Sequence, residues 1–401
     1  MVDMTSFEQA GQSQIDGPVT RMAEFESSNL AAVVFTADEL SATYEGLCAE
    51  AVHAPPQSVA WLRAWSSEVN SDMVVVTAQL SGKTVFALPL EIVDSGLLRV
   101  ARFTGGSHAN GNFAPALPSF LKNTNAATIR ALMHALHRTR PDIDLVCLDR
   151  QLESHGGFQN PMLLLGRSSS PNIALAVDLE GGFDALLARA SGKRKRKKNR
   201  SQIRKFEAAG GYRIIEASTP EEANRLLTGY FDMKAQQFRQ MGLPDVFASK
   251  NVQAFFRTLS SESVESAGSR FLLQGLEVGG KLRAVTGSSI ERDRIVCDFA
   301  AFADDDLAQT SPGEFLFFHN IKSACDAGYK LFDFSVGDER YKRLWCPVET
   351  QQFDTLVPLT AKGWVLAGGL RLRNRIKRAA KQSAGIRSLV KFLRARLGAD
   401  R

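Results

Sequence analysis

The chain of 401 residues has few cysteines, and it lacks the compositions typical of fibrous or unfolded proteins. Its five cysteines are odd in number and form no Cys-x-x-Cys pair, which argues against a disulfide scaffold or zinc ribbon and favours a reducing compartment. With 14 prolines and 31 glycines, the chain is neither collagen-like nor proline-rich. A hydrophobic fraction of 44% is typical of globular proteins, and the length suggests two domains.

Long hydrophobic runs are also missing. No stretch approaches the roughly 20 apolar residues that a membrane-spanning helix needs. Residues 1–24 lack the apolar core of a signal peptide, so we expect a cytoplasmic protein. Residues 1–29 are polar and without periodicity, and we interpret them as a flexible leader.

Positive charge is concentrated in two segments of an otherwise acidic chain. Residues 185–206 hold ten basic residues and no acid, and residues 371–401 hold eleven basic residues and one acid. The first segment ends at Gly210-Gly211, which is typical of a helix end. The basic charge of this helix indicates either a solvated helix face or a contact with an anion or phosphate. Because a nucleic-acid-binding protein more often spreads its basic charge over a face, nucleic acid is not expected as a partner.

The second basic segment alternates basic and apolar residues from Leu370 to Leu397. This amphipathic, cationic pattern suits peripheral association with an anionic membrane at its inner face. The alternative is a helix that packs its apolar stripe, Leu372 and Ile376 with Leu389 and Phe392, on the body of its own protein.

Hydrophobic periodicity predicts the order β-α-α-β-β-β-α-β in each half of the chain. Apolar runs around Ser81-Gly82 and around 278–281 predict hairpins, and 126–139, 220–241 and 312–327 predict helices. The chain therefore divides into a leader (1–29), two domains (30–175 and 176–362) and a basic amphipathic helical tail (363–401).

The segment Gln309–Leu316 opens the helix that follows three strands of the second half. Ser311 is expected to be its N-cap and Pro312 its first residue, while Gly313 would let a ligand approach the backbone. Together with Glu314, these residues open a first turn whose N–H groups and dipole suit an anion such as pyrophosphate. A purely structural cap is the alternative.

The pattern S-P-G-x-x-L, G-x-x-x-x-D-F and G-D-E-x-Y-K-x-x-W over Ser311–Trp345 resembles an acetyltransferase family of the GNAT superfamily linked to cellulose biosynthesis, the CelD type. That family is related to the Fem-type transferases, which carry two GNAT-like domains in one chain. The resemblance extends roughly from Leu30 to Leu359. It implies an α/β (α+β) fold of tandem GNAT-like domains, each a mixed, mainly antiparallel sheet flanked by helices.

The resemblance also implies a donor site. Acetyl-CoA or another acyl-CoA would bind as co-substrate at Ser311, Pro312, Gly313 and Glu314. The first half has Leu121–Asn125 where the second has Ser-Pro-Gly, so only the second half is expected to bind the donor. The loop Gly105–Asn112 would then line an acceptor groove between the domains.

Five candidate catalytic residues follow in the same motif. Asp333 lies between two phenylalanines of a strand, where it would shape a cleft or pair structurally. Asp338 and Glu339 are candidates for the general base, with a solvated loop as the alternative. Tyr341 would protonate the departing thiolate, as tyrosines do in GNAT enzymes, and Lys342 would hold a phosphate or carboxylate. No metal site is expected, because His134 and His137 lack a third ligand at suitable spacing.

These features together favour an acyl-CoA-dependent N- or O-acyltransferase that transfers groups other than aminoacyl. Its acceptor would be a small molecule or saccharide, and the resemblance suggests bacterial cellulose or exopolysaccharide metabolism. Two alternatives stay open. One is a Fem-like aminoacyl-tRNA-dependent transferase, and the other is a non-catalytic adaptor at a membrane surface.

Overall fold

The computed structural model describes residues 30–36, 41–189, 191–265, 271–337 and 339–382. Within these ranges the helices are α1 (Ser41–Glu50), α2 (Val59–Glu68), α3 (Pro118–Asn123), α4 (Ala126–Thr139), α5 (Gly182–Arg189), α6 (Gly192–Ala208), α7 (Pro220–Met241), α8 (Lys250–Glu265), α9 (Pro312–Asp326), α10 (Arg340–Arg343) and α11 (Ala361–Gln382). None of them is long and apolar enough to cross a bilayer.

The strands are β1 (Leu30–Thr36), β2 (Met73–Leu80), β3 (Lys83–Ser95), β4 (Leu98–Phe103), β5 (Leu145–Gln151), β6 (Ser154–His155), β7 (Phe158–Gln159), β8 (Ser168–Asp178), β9 (Tyr212–Glu216), β10 (Phe271–Val278), β11 (Lys281–Glu291), β12 (Arg294–Phe302), β13 (Leu331–Val336) and β14 (Val348–Pro358). The predicted mixed, mainly antiparallel α/β architecture is confirmed. The predicted element order lacks β8 and β14, and these two strands determine how the halves meet.

Twelve of the strands form one continuous sheet in the order β1-β2-β3-β4-β5-β14-β8-β13-β12-β11-β10-β9. Each half contributes an antiparallel meander that ends in one parallel pair, β4 with β5 and β12 with β13. A parallel pair needs a crossover connection, which α3 and α4 supply in the first half and α9 supplies in the second. The repeated order predicted from the sequence is thus visible in the topology.

The two halves exchange strands at the middle of this sheet. The last strand, β14, pairs with β5 of the first half and with β8, while β8 also pairs with β13 of the second half. The halves do not form separate sheets. Their sheets are joined edge to edge, because β14 and β8 pair with strand edges that would otherwise be open. The predicted boundary between residues 175 and 176 falls inside β8, and the division into domains stays a prediction.

Aromatic side chains extend the core from one half to the other. Trp61 and Trp65, one turn apart on α2, each place their ring 4.9 Å from the ring of Phe255 on α8. Edge-on contacts of this kind stabilise the fold by more than the burial of their surface area alone. The halves therefore share a hydrophobic core as well as a sheet.

Helix α11 is fixed to the sheet at its first turn. Gly363 lies against the backbone carbonyl of Asp144, so close that a Cβ at this position would overlap the oxygen. The Thr360 hydroxyl donates to the Asp144 carboxylate (2.6 Å) and accepts from the Gly363 N–H (3.2 Å). Only glycine allows this approach.

We predict that Gly363→Ala destabilises the protein by about 2 kcal/mol, the usual cost of overpacking against backbone that cannot move aside. Gly368→Ala is the matched control, because a Cβ there meets nothing within 4 Å and alanine is the better helix former by about 1 kcal/mol. Chemical denaturation of both variants measures the difference. Equal stabilities would show that α11 is not held at Gly363.

Candidate active site between the two halves

Strands β12 and β13 separate soon after they pair. Their parallel register covers only three residue pairs, from Arg294 with Leu331 to Val296 with Asp333. Beyond that point, lysine side chains take the strand carbonyls: Lys234 donates to Ala300 O (3.1 Å) and Lys342 donates to Val336 O (2.9 Å). The gap is thus edged by two ammonium groups where a neighbouring strand would normally supply N–H donors.

The corresponding gap in the first half is closed by main chain. The Asn112 N–H donates to Arg150 O (2.9 Å), and the Leu152 N–H donates to Asn112 O (3.1 Å). The loop after β4 therefore takes the place beside β5 that stays open beside β13. This difference supports the expectation that only the second half has room for a donor.

The start of α9 lies at the open end of the gap. The Gln202 amide on α6 donates to Thr310 O (2.8 Å) and Ser311 O (3.1 Å) and so holds the preceding loop. Ser311 occupies the N-cap position, but its φ is +59° and its hydroxyl caps no N–H of the helix. Ser311 is therefore at the N-cap position as predicted, but its side chain does not cap the helix, because the backbone there is left-handed.

A cationic side chain stands beside this helix start. The Lys198 ammonium lies 3.4 Å from the Ser311 hydroxyl and 2.5 Å from the Glu314 carboxylate. Pro312 has no N–H, and within the described part of the chain the N–H groups of Gly313 and Glu314 have no acceptor. Free N–H groups, the helix dipole and an ammonium together suit an anion.

Gly313 faces the sheet. A Cβ at this position would lie 2.6 Å from Cδ1 of Phe302, at the end of β12. Glycine here thus lets α9 pack directly on β12. A larger residue at position 313 would collide with the Phe302 ring unless that ring moved.

The basic segment forms α6, and one edge of this helix is buried. Lys195, Asn199, Gln202 and Phe206, spaced three or four residues apart, are all buried. The Lys195 ammonium donates to Leu344 O (2.8 Å) and lies 4.7 Å from the centre of the Trp345 ring. The opposite edge carries four exposed basic residues, which we name the α6 basic stripe: Lys193, Lys197, Arg200 and Arg204.

Asp333 lies on the face of the sheet that meets the first half. Its side chain is 5% exposed, pairs with Arg294, and accepts the Ser335 N–H at 2.6 Å. Ser335 has a φ of +59°, which is strained for a residue with a Cβ. Strain held beside a buried ion pair makes this turn a candidate functional site.

The other predicted catalytic residues lie around α10, apart from Asp338, which falls outside the described residues. Lys342 is buried and pairs with Glu339 (3.0 Å). The Tyr341 ring stacks on Phe317 of α9 with a centroid distance of 5.5 Å. Burial raises the pKa of Tyr341 above its usual value, so its hydroxyl keeps its proton at neutral pH.

A small cavity lies between Asp333 and the first half. It has about 10 Å³ of room for the centre of a water molecule, which is enough for roughly one water. Both halves line it, and the predicted lining loop contributes Asn110 and Gly111. Four buried polar atoms of its wall have no partner within the described residues: Glu291 Oε2, Arg294 Nε, Ser335 Oγ and Gln352 Oε1. Unpaired buried atoms are costly, so this wall is suited to a polar ligand or water.

A larger cavity of about 880 Å³ adjoins the small one and shares Pro55 and Glu291 with it. Its walls are α1 and α2 of the first half and α8, β10 and β11 of the second. Glu291 meets His155 of the first half at 2.8 Å. The volume is in the usual range for a small-molecule site.

Comparison with known proteins agrees with this geometry. Residues 193–343 match the family model described as an acetyltransferase (GNAT) domain. The match identifies a GNAT-type domain in the second half of the chain. It covers the α6 basic stripe, the gap, the start of α9 and all of α10. The match is to the GNAT domain in general, so the cellulose-linked type stays a prediction.

Solved structures with a similar fold span most of the chain. The structure of FemX superposes with a TM-score of 0.54 at 10% identity, covering 82% of this chain and 97% of FemX. A tandem GNAT protein of the clavulanic acid pathway has a TM-score of 0.45 at 13% identity, covering 82% of this chain and 99% of that one. At such identities the similarity to FemX shows the fold alone. No curated protein matches the sequence.

The GNAT domain holds one acid that the sequence reasoning missed. Asp298 is the extra residue of a β-bulge in β12, because Cys297 and Phe299 pair with adjacent residues of β11. Its carboxylate accepts the Ser289 hydroxyl at 2.7 Å, and Ser289 lines the larger cavity. Burial, opposed by the Ser289 hydrogen bonds, raises the pKa of Asp298 to about 7. A single acid in a strand gives no sequence signal for a bulge, which depends on strand register.

We predict that stability falls as the pH rises through Asp298's range. The folded protein keeps the proton up to about pH 7, whereas the unfolded chain releases it near pH 4. Ionisation in the fold therefore costs up to about 1.4 kcal/mol per pH unit within that window. Asp298→Asn should remove this loss, whereas the exposed Asp326→Asn should keep it. Denaturation from pH 5 to 8 tests this; parallel curves for all three proteins would refute the assignment.

Proposed function

We propose that this protein is an acyl-CoA-dependent N- or O-acyltransferase, as its GNAT-type domain and the gap between β12 and β13 support. The observation that carries the proposal is that this gap ends at the start of α9. There, two free N–H groups and Lys198 can receive the donor's pyrophosphate. Glu314 is already paired with Lys198, so an incoming phosphate would compete with it.

The acceptor would enter from the other side of the sheet, through the 880 Å³ cavity between the halves. Its wall is mixed and includes both acids and bases: Glu45, Glu262, Glu291, Arg63 and Arg292. Such a wall suits a small molecule or saccharide with several polar groups. The role in bacterial cellulose or exopolysaccharide metabolism is part of this proposal and rests on the family resemblance alone.

Acyl-CoA supplies a thioester carbonyl that an amine or hydroxyl can attack directly. Asp298 is our candidate for the general base, because a pKa of about 7 lets it accept the acceptor's proton near neutral pH. Ser289 stands between Asp298 and the cavity and could pass that proton on. When the carbon–sulfur bond breaks, Tyr341, which stays protonated at neutral pH, could return a proton to the thiolate.

Lys234 and Lys342 would stabilise negative charge that develops in the gap. Both ammonium groups donate to strand carbonyls at its edges. Burial lowers the pKa of Lys234, and the neighbouring Lys342 lowers it further. Positive charge held in a buried site is the arrangement that favours an oxyanion. Asp333 and Arg294 would position the strands and line the acceptor side.

Lys198→Gln should weaken acyl-CoA binding about fivefold to tenfold, more at low ionic strength, because a charge beside the pyrophosphate is removed. Lys197→Gln is the matched control, since it removes the same charge from the outward stripe of the same helix. Titration calorimetry with acetyl-CoA and coenzyme A measures both. Equal affinities for the two variants would place the donor elsewhere.

Asp298→Asn should lower kcat by at least about a hundredfold and should remove the acidic limb of the kcat–pH profile near pH 7. Acyl-CoA affinity should not change, because Asp298 lies away from the start of α9. The assay follows free thiol release with a panel of amines and amino sugars. Retention of the limb near pH 7 in the variant would contradict the role of Asp298.

A Fem-like aminoacyl-tRNA-dependent transferase is the second candidate. The α6 basic stripe supports it, because none of its four side chains has an acidic partner among the described residues. Four such charges would bind RNA phosphates in a salt-dependent way. Thermal-shift measurements with acetyl-CoA, coenzyme A and tRNA separate the candidates. Stabilisation by tRNA alone would favour the second.

A further inference from the structure

A third cavity lies between α11, the start of β8 and the second half of β14. It has a volume of about 290 Å³. Three arginines line it, Arg167, Arg371 and Arg375, together with Asn374 and Ser168. Arg167 pairs with Glu153 at 2.5 Å, whereas Arg371 and Arg375 have no acidic partner among the described residues. The cavity is therefore suited to an anion.

One acid lines this cavity and does not cancel its charge. Asp354 is buried and accepts the Arg150 N–H at 3.0 Å. Burial and the nearby Asp149 raise its pKa to about 6. Because Arg371 and Arg375 together carry two positive charges against this one carboxylate, the wall stays positive at neutral pH.

An apolar stripe runs along α11 beside these arginines. Val365, Leu372 and Ile376, at spacings of seven and four residues, lie on one side of the helix and are 79%, 59% and 61% exposed. Trp364 is also exposed at 62%. We name these four residues the α11 stripe. The interpretation that Leu372 and Ile376 pack on the protein's own body is not supported for the described part of the helix, while Leu389 and Phe392 lie outside it.

We propose that α11 docks on a bilayer containing anionic phospholipid, with a headgroup phosphate between Arg371 and Arg375 and the α11 stripe among the acyl chains. The helix's opposite edge is fixed to the sheet by Gly363 and Ala367, so the stripe must point away from the protein. Apolar side chains flanked by arginines are typical of helices that lie in the interfacial plane of a membrane.

Charge complementarity favours an anionic lipid over the chain's own C-terminal segment, residues 383–401, as the partner of Arg371, Arg375 and the α11 stripe. Residues 383–401 contain five basic residues and one acid. This segment therefore cannot neutralise Arg371 and Arg375. An anionic surface neutralises these two arginines. It attracts residues 383–401 as well, since each basic residue near such a surface adds a similar favourable free energy of binding.

The test uses the full chain and co-sedimentation with two kinds of vesicle, phosphatidylcholine alone and phosphatidylcholine with a quarter of phosphatidylglycerol. Binding should require phosphatidylglycerol and should weaken as salt rises. Arg371→Gln with Arg375→Gln should lower the partition coefficient at least tenfold. The matched control, Arg200→Gln with Arg204→Gln on α6, removes the same charge and should leave the partition within twofold.

A second pair of substitutions tests the stripe. Leu372→Ser with Ile376→Ser should reduce vesicle binding at least tenfold without changing the melting temperature, because both side chains are exposed. A lower melting temperature would show that the protein's own chain covers the stripe and would overturn the proposal. An equal loss of vesicle binding in the α6 control would show that binding depends only on overall charge. That result would also overturn the proposal. So would binding of inorganic phosphate or glycerol phosphate at the arginines without any partition onto vesicles.

Discussion

The exchange of β8 and β14 between the halves is the constraint on which the candidate site depends. Strand β8 is held on both sides, by β13 and by β14, and β14 in turn holds β5. The halves cannot move apart without breaking these ladders. The exchange thereby fixes Gln352 of β14 and His155 of the first half opposite Arg294 and Asp333. A binding wall with four unpaired polar atoms persists only in surroundings this firmly held.

The second constraint is where the open strand edge falls. Backbone carbonyls inside a protein need donors, and at the gap they receive them from Lys234 and Lys342. A lysine side chain can turn away from a carbonyl, whereas a paired strand cannot leave without breaking its ladder. In the first half, main-chain hydrogen bonds of Asn112 close the corresponding gap, so this freedom is absent there. Tandem copies of one topology can thus divide the work, one receiving the donor and the other shaping the acceptor side.

Local patterns sufficed for most elements, while strand pairing over long sequence distances did not follow from them. The limits of α4 and α7 agree with those predicted, because periodicity and caps such as Thr219 before Pro220 are encoded within a few residues. The pairing of β14 with β5 joins residues some 200 positions apart and has no local signal. Asp298 was missed for the same reason, since its bulge exists only in the register with β11. Ser311 shows the converse: it stands at the N-cap position that the local pattern predicts, yet its left-handed backbone leaves its hydroxyl without a bond to the helix N–H groups.

In the proposed reaction, the sheet would also separate the two substrates. Phe317, Phe334 and Tyr341 lie on the α9 side of β12 and β13 with the start of α9, whereas Arg294 and Asp333 lie on the side that meets the first half. Donor and acceptor on opposite faces can meet only where the sheet is interrupted. The interruption is the gap after Val296 and Asp333. The bulge at Asp298 lies where this gap begins. A bulge redirects one side chain without ending the strand, so β12 edges the gap and also holds the Asp298 carboxylate against Ser289 of β11. In the proposed reaction, the separation of the strands would therefore give the reacting groups a meeting point, and the bulge in β12 would supply Asp298, an acid of raised pKa, near it.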